Sequence, residues 1–269
     1  RGAVKHQIEG MDAMAIEVRA AALNGLARNP NVEYVEEDAK RYPLALTTPS
    51  TGAPYAAGQL VPYGIKQVQA DLLSDALAGN RKVCIIDSGY DRAHEDLSSA
   101  NNITGEYDSG TGWWYTDESH HGTHVAGTIA ALNNAGVGVV GVNANNQLKL
   151  HIVKVFGADG WAYSSTLATA ANKCKAADSN VISMSLGGAR ANKTEQRAFD
   201  QLLAGGILPI AAAGNAGNNT TSYPAGYASV MSVAAVDEFG AKGSFSQTNS
   251  DVEIAGPGVA VLSTVPMGT

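Results

Sequence analysis

Three histidines, His120, His121 and His124, stand where a polar stretch gives way to small and apolar residues. Residues 116–121 are polar and turn-like, whereas 125–132 combine apolar side chains with good helix formers, so the cluster is predicted at the start of a helix. An imidazole in that position is suited to proton transfer near neutral pH. Two other interpretations stay open. In one, the histidines only hydrogen bond to nearby backbone. In the other, His120 and His124, four residues apart, form a metal site with Glu118.

The small residues within this stretch favour the chemical interpretation. Gly122, Ala126 and Gly127 leave room for another backbone to approach closely behind the imidazole. A helix that is merely capped by histidine, or that binds a metal, does not require them.

Two further polar side chains follow apolar strands. Asp87 comes directly after the apolar run 82–86, and Asn215 follows the run 207–213 among glycines. Ligands of open α/β sheets bind beyond the carboxyl ends of the strands. With His121, these residues supply a carboxylate to orient an imidazole, a base, and an amide donor for a developing oxyanion. Taken singly, Asp87 has a structural interpretation as a turn residue, and Asn215 as a residue in a left-handed turn.

The elements that would position these residues alternate between strand and helix patterns. An apolar run predicts a strand at 82–86 that is buried on both faces of a parallel sheet, and further strands are predicted at 148–156, 181–185, 207–213 and 230–236. Helical patterns lie between them at 70–77, 164–177 and 193–204. This alternation predicts an α/β domain with a mostly parallel sheet flanked by helices on both faces.

The N-terminal stretch differs from the rest in charge. Residues 1–43 carry 13 of the chain's 43 charged side chains in a sixth of its length. Within them a strand is predicted at 3–8, a helix at 14–27 and a second strand at 32–35. Such a small α+β module buries little core alone, so we expect it to lean on another surface. Residues 44–62, rich in Pro, Thr, Ala, Ser and Gly, are predicted to be an exposed linker that can be cut.

Composition excludes several functional classes. With 269 residues, of which 45% are hydrophobic, the chain can bury a sizeable core. A formal charge of −7 and a pI near 5.3 argue against a nucleic-acid partner. The apolar runs are far shorter than the roughly 18 residues of a membrane span, so no membrane partner is expected. The two cysteines, Cys84 and Cys174, form either one disulfide or two buried thiols.

Four motifs occur in the order seen in subtilisin-like serine proteases: Asp87-Ser88-Gly89, the stretch 121–128, Ser185-Leu186-Gly187-Gly188 and Ala213-Gly214-Asn215. On these motifs the chain is identified as a member of the subtilase family. The resemblance implies a subtilisin-like fold and a secreted, extracellular serine endopeptidase acting on protein or peptide substrates. It makes Asp87 the orienting carboxylate, His121 the general base and acid, and Asn215 the oxyanion donor, with His124 structural. The substrate backbone would lie between the segment Ser185, Leu186 and Gly187 and an opposing edge at Gly160.

The resemblance also implies a propeptide and a structural calcium ion. Residues 1–43 correspond to the latter part of an inhibitory propeptide, whose acidic residues at 36–38 would meet helix N-termini of the catalytic domain. Calcium prefers carboxylate, amide and main-chain oxygens. The positions matching the family's calcium site are Gln59, Asp96, Leu132, Asn134, Val137 and Val139.

The nucleophile is the component that is missing. The family's serine lies in a Gly-Thr-Ser-Met-Ala motif that residues 1–269 lack, and Ser88, Ser185 and Ser263 occupy positions used otherwise. We therefore expect 63–269 to be a catalytic domain truncated before the serine, and this chain alone to be inactive. Three accounts compete: a fragment or nicked proenzyme with the serine in a later segment or a second chain, a non-catalytic peptide-binding pseudoprotease, and a zinc hydrolase using the three histidines. Unless a second chain carries the serine, we expect the protein to be a monomer.

Overall fold

The computed structural model describes residues 3–8, 10–38, 40–43, 60–98, 101–134 and 137–269. The strands are β1 (Ala3–Ile8), β2 (Ala13–Glu17), β3 (Lys40–Pro43), β4 (Lys82–Asp87), β5 (Ile103–Gly105), β6 (Tyr107–Asp108), β7 (Gly112–Trp113), β8 (Lys149–Lys154), β9 (Ala162–Tyr163), β10 (Val181–Met184), β11 (Leu186–Gly187), β12 (Leu208–Ala212), β13 (Met231–Val236) and β14 (Val252–Pro257). The α-helices are α1 (Ala20–Ala27), α2 (Tyr63–Gln67), α3 (His121–Ala130), α4 (Ser164–Ala176) and α5 (Lys193–Ala204).

A seven-stranded sheet in the order β14-β13-β12-β10-β4-β8-β5 forms the centre of the fold. Every neighbouring pair in it runs parallel. Because parallel strands need crossover connections, helices cover both of its faces. The predicted α/β class with a mostly parallel sheet is thereby confirmed.

The side chains of β4 alternate between two hydrophobic cores, one on each face of the sheet. Cys84 and Ile86 point into the core that includes α4 and α5. Ile85 points to the opposite core, against Ala126 of α3. All three β4 side chains have no exposed surface, and a fully buried isoleucine stabilises the fold by about 1.5–3 kcal/mol relative to an exposed one. The strand that ends in Asp87 is therefore fixed from both sides.

A disulfide joins Cys84 of β4 to Cys174 of α4, which decides between the two alternatives left by the sequence. The Cα atoms are 5.6 Å apart, within the range that a disulfide spans. Both residues are completely buried. The bond thus ties a helix to the strand three residues before Asp87.

Three predicted elements are wrong. The helix predicted at 14–27 is a strand, β2, followed by the short helix α1, because 13–17 pair antiparallel with β1 instead of continuing a helix. The strand predicted at 32–35 has no regular structure. The helix predicted at 70–77 is only a 3-10 turn, Ala70–Leu72, preceded by Gln69 in a left-handed conformation at φ 58°. Its leucines face solvent, so no core stabilises a longer helix.

The predicted linker, 44–62, lies outside the described residues except for 60–62. Strands β5 and β14, the β6–β7 hairpin and the short helix α2 were not predicted. Within the described residues, no helix is both long enough and apolar enough to span a bilayer.

Candidate active site

Asp87 and His121 meet at the carboxyl end of the central sheet. Strand β4 ends at Asp87, which has no exposed surface, and α3 begins at His121, as the sequence predicted. The His121 Nδ1–H donates to Asp87 Oδ1 over 2.7 Å. The Ser88 amide also donates to that oxygen, at 2.7 Å. A carboxylate held in this way fixes the tautomer and orientation of the imidazole, leaving Nε2 to exchange protons.

The glycine after the histidine allows this contact. A Cβ at Gly122 would overlap the carbonyl oxygen of Gly89, so only glycine lets α3 approach the turn after β4 so closely. This is the close backbone approach that the small residues predicted.

The other two histidines have different surroundings. His124 Nε2 lies 3.2 Å from the Val261 carbonyl oxygen, and burial lowers its pKa. His120 precedes α3 in a left-handed conformation, with φ 67°. Among the described residues, no group of three His, Cys, Asp or Glu side chains is arranged to hold a metal ion. The zinc interpretation therefore lacks a donor set in this part of the chain.

Asn215 lies just beyond β12 and lines a cavity of about 710 Å³ together with His121 and Ser185. The rest of the wall is largely apolar or small, including Val125, Ile129, Ala211, Val233, Gly256 and Val261. The cavity therefore brings an imidazole and a side-chain amide to one largely apolar space.

A three-stranded antiparallel sheet, in the order β11-β3-β9, occupies the predicted peptide-binding edge. Strand β3, from the N-terminal region, pairs with Leu186 and Gly187 on one side. On the other side it pairs with Ala162 and Tyr163, two residues beyond the predicted Gly160. A segment of this chain thus lies in the extended conformation that would suit a bound peptide.

Acidic residues of the N-terminal region contact the first turns of two helices. The Glu36 carboxylate accepts hydrogen bonds from the Lys193 and Thr194 amides of α5, at 2.6 and 2.9 Å. The Asp38 carboxylate accepts from the Ser165 amide of α4 at 2.9 Å, and from the Ser165 hydroxyl. The expectation that acidic residues at 36–38 meet helix N-termini is confirmed for Glu36 and Asp38, whereas the Glu37 carboxylate pairs with Arg190. Carboxylates in this position satisfy free N–H groups and complement the helix dipole.

Further contacts of this region were not predicted. Arg197 donates to both carboxylate oxygens of Glu33, at 2.8 and 3.1 Å. The Tyr34 hydroxyl lies 2.9 Å from the Thr194 hydroxyl, and the cations of Lys193 and Arg197 lie over its ring. Glu33 and Tyr34 fall in the wrongly predicted strand, and their side chains instead dock on α5. The exposed Glu33–Arg197 ion pair is expected to contribute little stability.

A third group of predicted residues surrounds the buried carboxylate of Asp96. The Val139 amide donates to Asp96 Oδ2 at 2.7 Å, and Asn134 Nδ2 lies 3.4 Å from Oδ1. The Leu132 amide donates to the Asp96 carbonyl at 2.9 Å, and the Val137 amide donates to the Asn134 carbonyl at 3.0 Å. Burial raises the pKa of Asp96 to about 6, with the Glu95 carboxylate adding to the rise. Gln59 lies outside the described residues.

Comparison with known proteins matches most of the chain to one family. Residues 79–269 match the family model described as Subtilase family. Subtilisin E of Bacillus subtilis (strain 168) is 37% identical over 277 aligned residues, covering 100% of this chain and 67% of that protein. Subtilisin of Bacillus pumilus is 40% identical over 220 aligned residues, covering 78% of this chain and 77% of that protein.

A solved structure is also similar. It is the crystal structure of a psychrophilic subtilisin-like protease from the Antarctic psychrotroph Pseudoalteromonas sp. AS-11, with 54% sequence identity and a TM-score of 0.74. The match covers 77% of this chain and 48% of that one. The chain therefore spans about two thirds of the subtilisin sequence and about half of the protein in the crystal.

Proposed function

Because the chain belongs to the subtilase family of serine proteases, we propose that the complete protein is a secreted endopeptidase whose reaction uses Asp87, His121 and Asn215. The contact that supports this proposal is the 2.7 Å hydrogen bond between His121 Nδ1 and Asp87 Oδ1. A buried carboxylate that accepts from the imidazole N–H holds the ring in the tautomer and orientation that a general base needs.

In the proposed reaction, His121 Nε2 takes the proton from a serine hydroxyl as that oxygen attacks the carbonyl carbon of the scissile peptide. Asp87 stabilises the imidazolium that forms. The Asn215 amide donates to the carbonyl oxygen as negative charge develops on it. His121 then gives the proton to the departing amine, and a water molecule repeats the cycle on the acyl-enzyme.

We propose that the serine is carried by a segment that packs into the cavity beside His121 and Asn215. Its volume and its apolar wall suit a protein segment better than bulk water. Two serines near His121 have other contacts: the Ser88 hydroxyl donates to Asp117, and the Ser263 hydroxyl donates to the His124 carbonyl. On this view residues 1–269 alone do not hydrolyse peptides. The alternative is a peptide-binding pseudoprotease, which would keep the cleft and lack the serine.

The complete protein is expected to hydrolyse an unstructured protein substrate and to lose that activity when treated with a serine-directed phosphonylating reagent. A zinc chelator serves as the comparison, since a zinc hydrolase would show the opposite sensitivity. Absence of hydrolysis together with retained peptide binding would favour the pseudoprotease. Loss of activity under the chelator alone would overturn the serine mechanism.

We further propose that residues 1–43 act as an inhibitory propeptide. Strand β3 fills the peptide-binding edge, and Glu36 and Asp38 hold the segment to two helices. A bound strand there excludes a substrate from the same hydrogen bonds. Because β3 ends at Pro43 opposite Leu186, next to Ser185 of the cavity wall, we expect maturation to cut within a few residues after Pro43, which N-terminal sequencing of the mature protein would test.

The double substitution Glu36→Gln and Asp38→Asn is expected to weaken docking of the cleaved segment by about 10- to 100-fold, since charge-assisted hydrogen bonds at two helix N-termini are lost. Dilution of the cleaved complex releases the segment and restores peptidase activity. The concentration at which activity appears therefore reports the change in affinity. Glu17→Gln is the matched control, because Glu17 pairs with Lys5 within the β1–β2 hairpin. Equal dilution profiles for the double variant and the control would contradict the proposal.

We also propose that Asp96, Leu132, Asn134, Val137 and Val139, with Gln59, hold a calcium ion. The donor set fits in its chemistry: the carboxylate of Asp96 is fully buried, and the other residues carry side-chain or main-chain oxygens, the hard donors that calcium prefers. A Cβ at Gly138 would overlap Asp96 Oδ2, so the loop closes tightly around the carboxylate. The ion would neutralise a charge that is costly to bury.

Calcium at 100 times its Kd is expected to stabilise the protein by about 2.7 kcal/mol, which raises Tm by about 5–10 °C. The measurement is a thermal melt of chelator-treated protein with and without calcium, and magnesium is the control ion. Asp96→Asn should remove most of the shift. An equal shift in this variant would place the ion elsewhere.

A further inference from the structure

A second buried carboxylate, Asp117, lies four residues before His121 and takes no part in the proposed reaction. Its side chain is about nine-tenths buried. Oδ1 accepts hydrogen bonds from the Ser88 hydroxyl at 2.7 Å and from the His120 amide at 3.0 Å. Oδ2 accepts from the Thr123 amide at 2.8 Å and from the Thr123 hydroxyl at 2.6 Å. Four donors from three residues therefore converge on one carboxylate.

The residues that donate to Asp117 are close neighbours of Asp87 and His121 in the sequence. Ser88 follows Asp87 directly, while His120 and Thr123 lie on either side of His121. The Ser88 hydroxyl, which donates to Asp117, also accepts a hydrogen bond from the Gly122 amide at 2.8 Å. Asp117 and Ser88 thus form a polar link between the end of β4 and the first turn of α3.

The helix relies on this link because its own cap is absent. The residue before α3 is His120, whose side chain makes no capping hydrogen bond. Asp117 instead accepts from Thr123 within the first turn, where free N–H groups need partners. The φ of 67° at His120 is uncommon for a residue other than glycine, and the hydrogen bond from its amide to Asp117 holds it.

The backbone that carries Asp117 is itself anchored. The buried Lys154 ammonium donates to the Thr116 carbonyl at 2.8 Å and also contacts Glu118. A Cβ at Gly89 would overlap that same Thr116 carbonyl, so the loop rests directly on the turn after Asp87. Because Lys154 and the turn at Gly89 both hold this loop, the position of Asp117 relative to β4 and α3 is fixed.

We propose that Asp117 is a positioning residue that sets the distance and angle between Asp87 and His121 by joining Ser88 to the first turn of α3. Its relevance to catalysis rests on the proposed protease function, whereas its effect on the Asp87–His121 hydrogen bond does not. In Asp117→Asn one oxygen becomes an amide donor, which faces the existing donors of Ser88 and His120 or those of Thr123. The first turn of α3 then shifts relative to β4.

In the complete protein, Asp117→Asn is expected to lower kcat for a peptide substrate by about 10- to 100-fold, because small misplacements of reacting groups have large effects. KM should change less than about 3-fold, since the peptide-binding strands do not touch Asp117. Asp91→Asn is the matched control: its carboxylate accepts from the Ala93 and Met267 amides, and its contact with the Thr123 hydroxyl is made by the main-chain amide, which the substitution keeps. Its kcat should stay close to wild type.

A double-substitution cycle tests the link itself. Ser88→Ala should lower kcat in the same direction, and the double variant with Asp117→Asn should lose little more than Asp117→Asn alone, because one link is broken in both. Additive losses would contradict a shared link. If Asp117→Asn folds poorly, Ser88→Ala alone still tests the link, because it removes one hydrogen bond to Asp117 and an unchanged kcat would contradict the proposal.

A spectroscopic readout separates positioning from general stability. In protein with ¹⁵N-labelled histidine, the His121 Nδ1 proton should give a downfield signal that Asp117→Asn weakens or shifts while Asp91→Asn leaves it unchanged. An unchanged signal, or a kcat loss that only follows the unfolded fraction, would overturn the proposal. Because this NMR signal does not depend on proteolysis, it tests the role of Asp117 even if the protein is not a protease.

Discussion

Replacement of Asp87 by asparagine is expected to lower kcat of the complete protein by about 10,000-fold, the loss seen when the aspartate of a serine protease triad is replaced. The amide can donate to Nδ1, which stabilises the tautomer of His121 with the proton on Nε2, so the imidazole no longer acts as a base. The packing changes little because the side chains have the same shape. Peptide hydrolysis under saturating substrate measures the effect, with a thermal melt to show that the variant is folded.

Asp75→Asn is a suitable control, since the Asp75 carboxylate accepts from Asn145 in exposed hydrogen bonds and is not among the residues that line the cavity. Asn215→Ala should show a smaller loss, about 100- to 1,000-fold, the range taken over from the oxyanion asparagine of subtilisin. A loss below about 10-fold for Asp87→Asn, or an equal loss in the control, would remove Asp87 from the mechanism.

Removal of the disulfide should be the largest effect on stability. Replacing Cys84 and Cys174 by alanine is expected to lower the free energy of unfolding by about 2–5 kcal/mol, because the bond spans 90 residues and restricts the unfolded chain. Urea unfolding followed by tryptophan fluorescence measures the change.

The single variants provide the matched comparison. Each removes the same crosslink, so either one should lose most of what the double variant loses. Both cysteines are fully buried, so a thiol reagent should find no reactive group until the protein is both unfolded and reduced. A double variant within 1 kcal/mol of wild type would contradict this account.

Strands β4 and β8 were predictable because most of their side chains are buried. An apolar run such as 83–86 fits no half-exposed element, so the predicted ends agree with the structure to within a residue or two. Strand β14 escaped prediction because it is largely exposed and its glutamate and glycine break the apolar pattern.

The N-terminal region was harder because its elements depend on other surfaces. Residues 13–17 fit a helical pattern and a strand equally well, and only pairing with β1 decides between them. At 32–35, Tyr34 and its neighbours resemble a strand, yet contacts with α5 determine the backbone there. Disulfide pairing likewise needs the distance between β4 and α4, which cysteine count alone does not give.

For the site, the sequence placed Asp87 and His121 at the ends of the correct elements. The structure brings them into contact, and it places Asn215 and His121 around one cavity. Asp117 was missed because an aspartate in a polar loop looks like an ordinary turn residue. Its burial and its four donors are visible only once α3 and β4 are packed together.

The most direct test of the proposed mechanism is to locate the residue that a fluorophosphonate modifies in the complete protein, by peptide mass spectrometry. The account predicts one modified serine, in a segment that contributes to the cavity beside His121 and Asn215 and lies outside residues 1–269, with no modification in His121→Ala. Modification of Ser88, Ser185 or Ser263, or equal modification without His121, would contradict it.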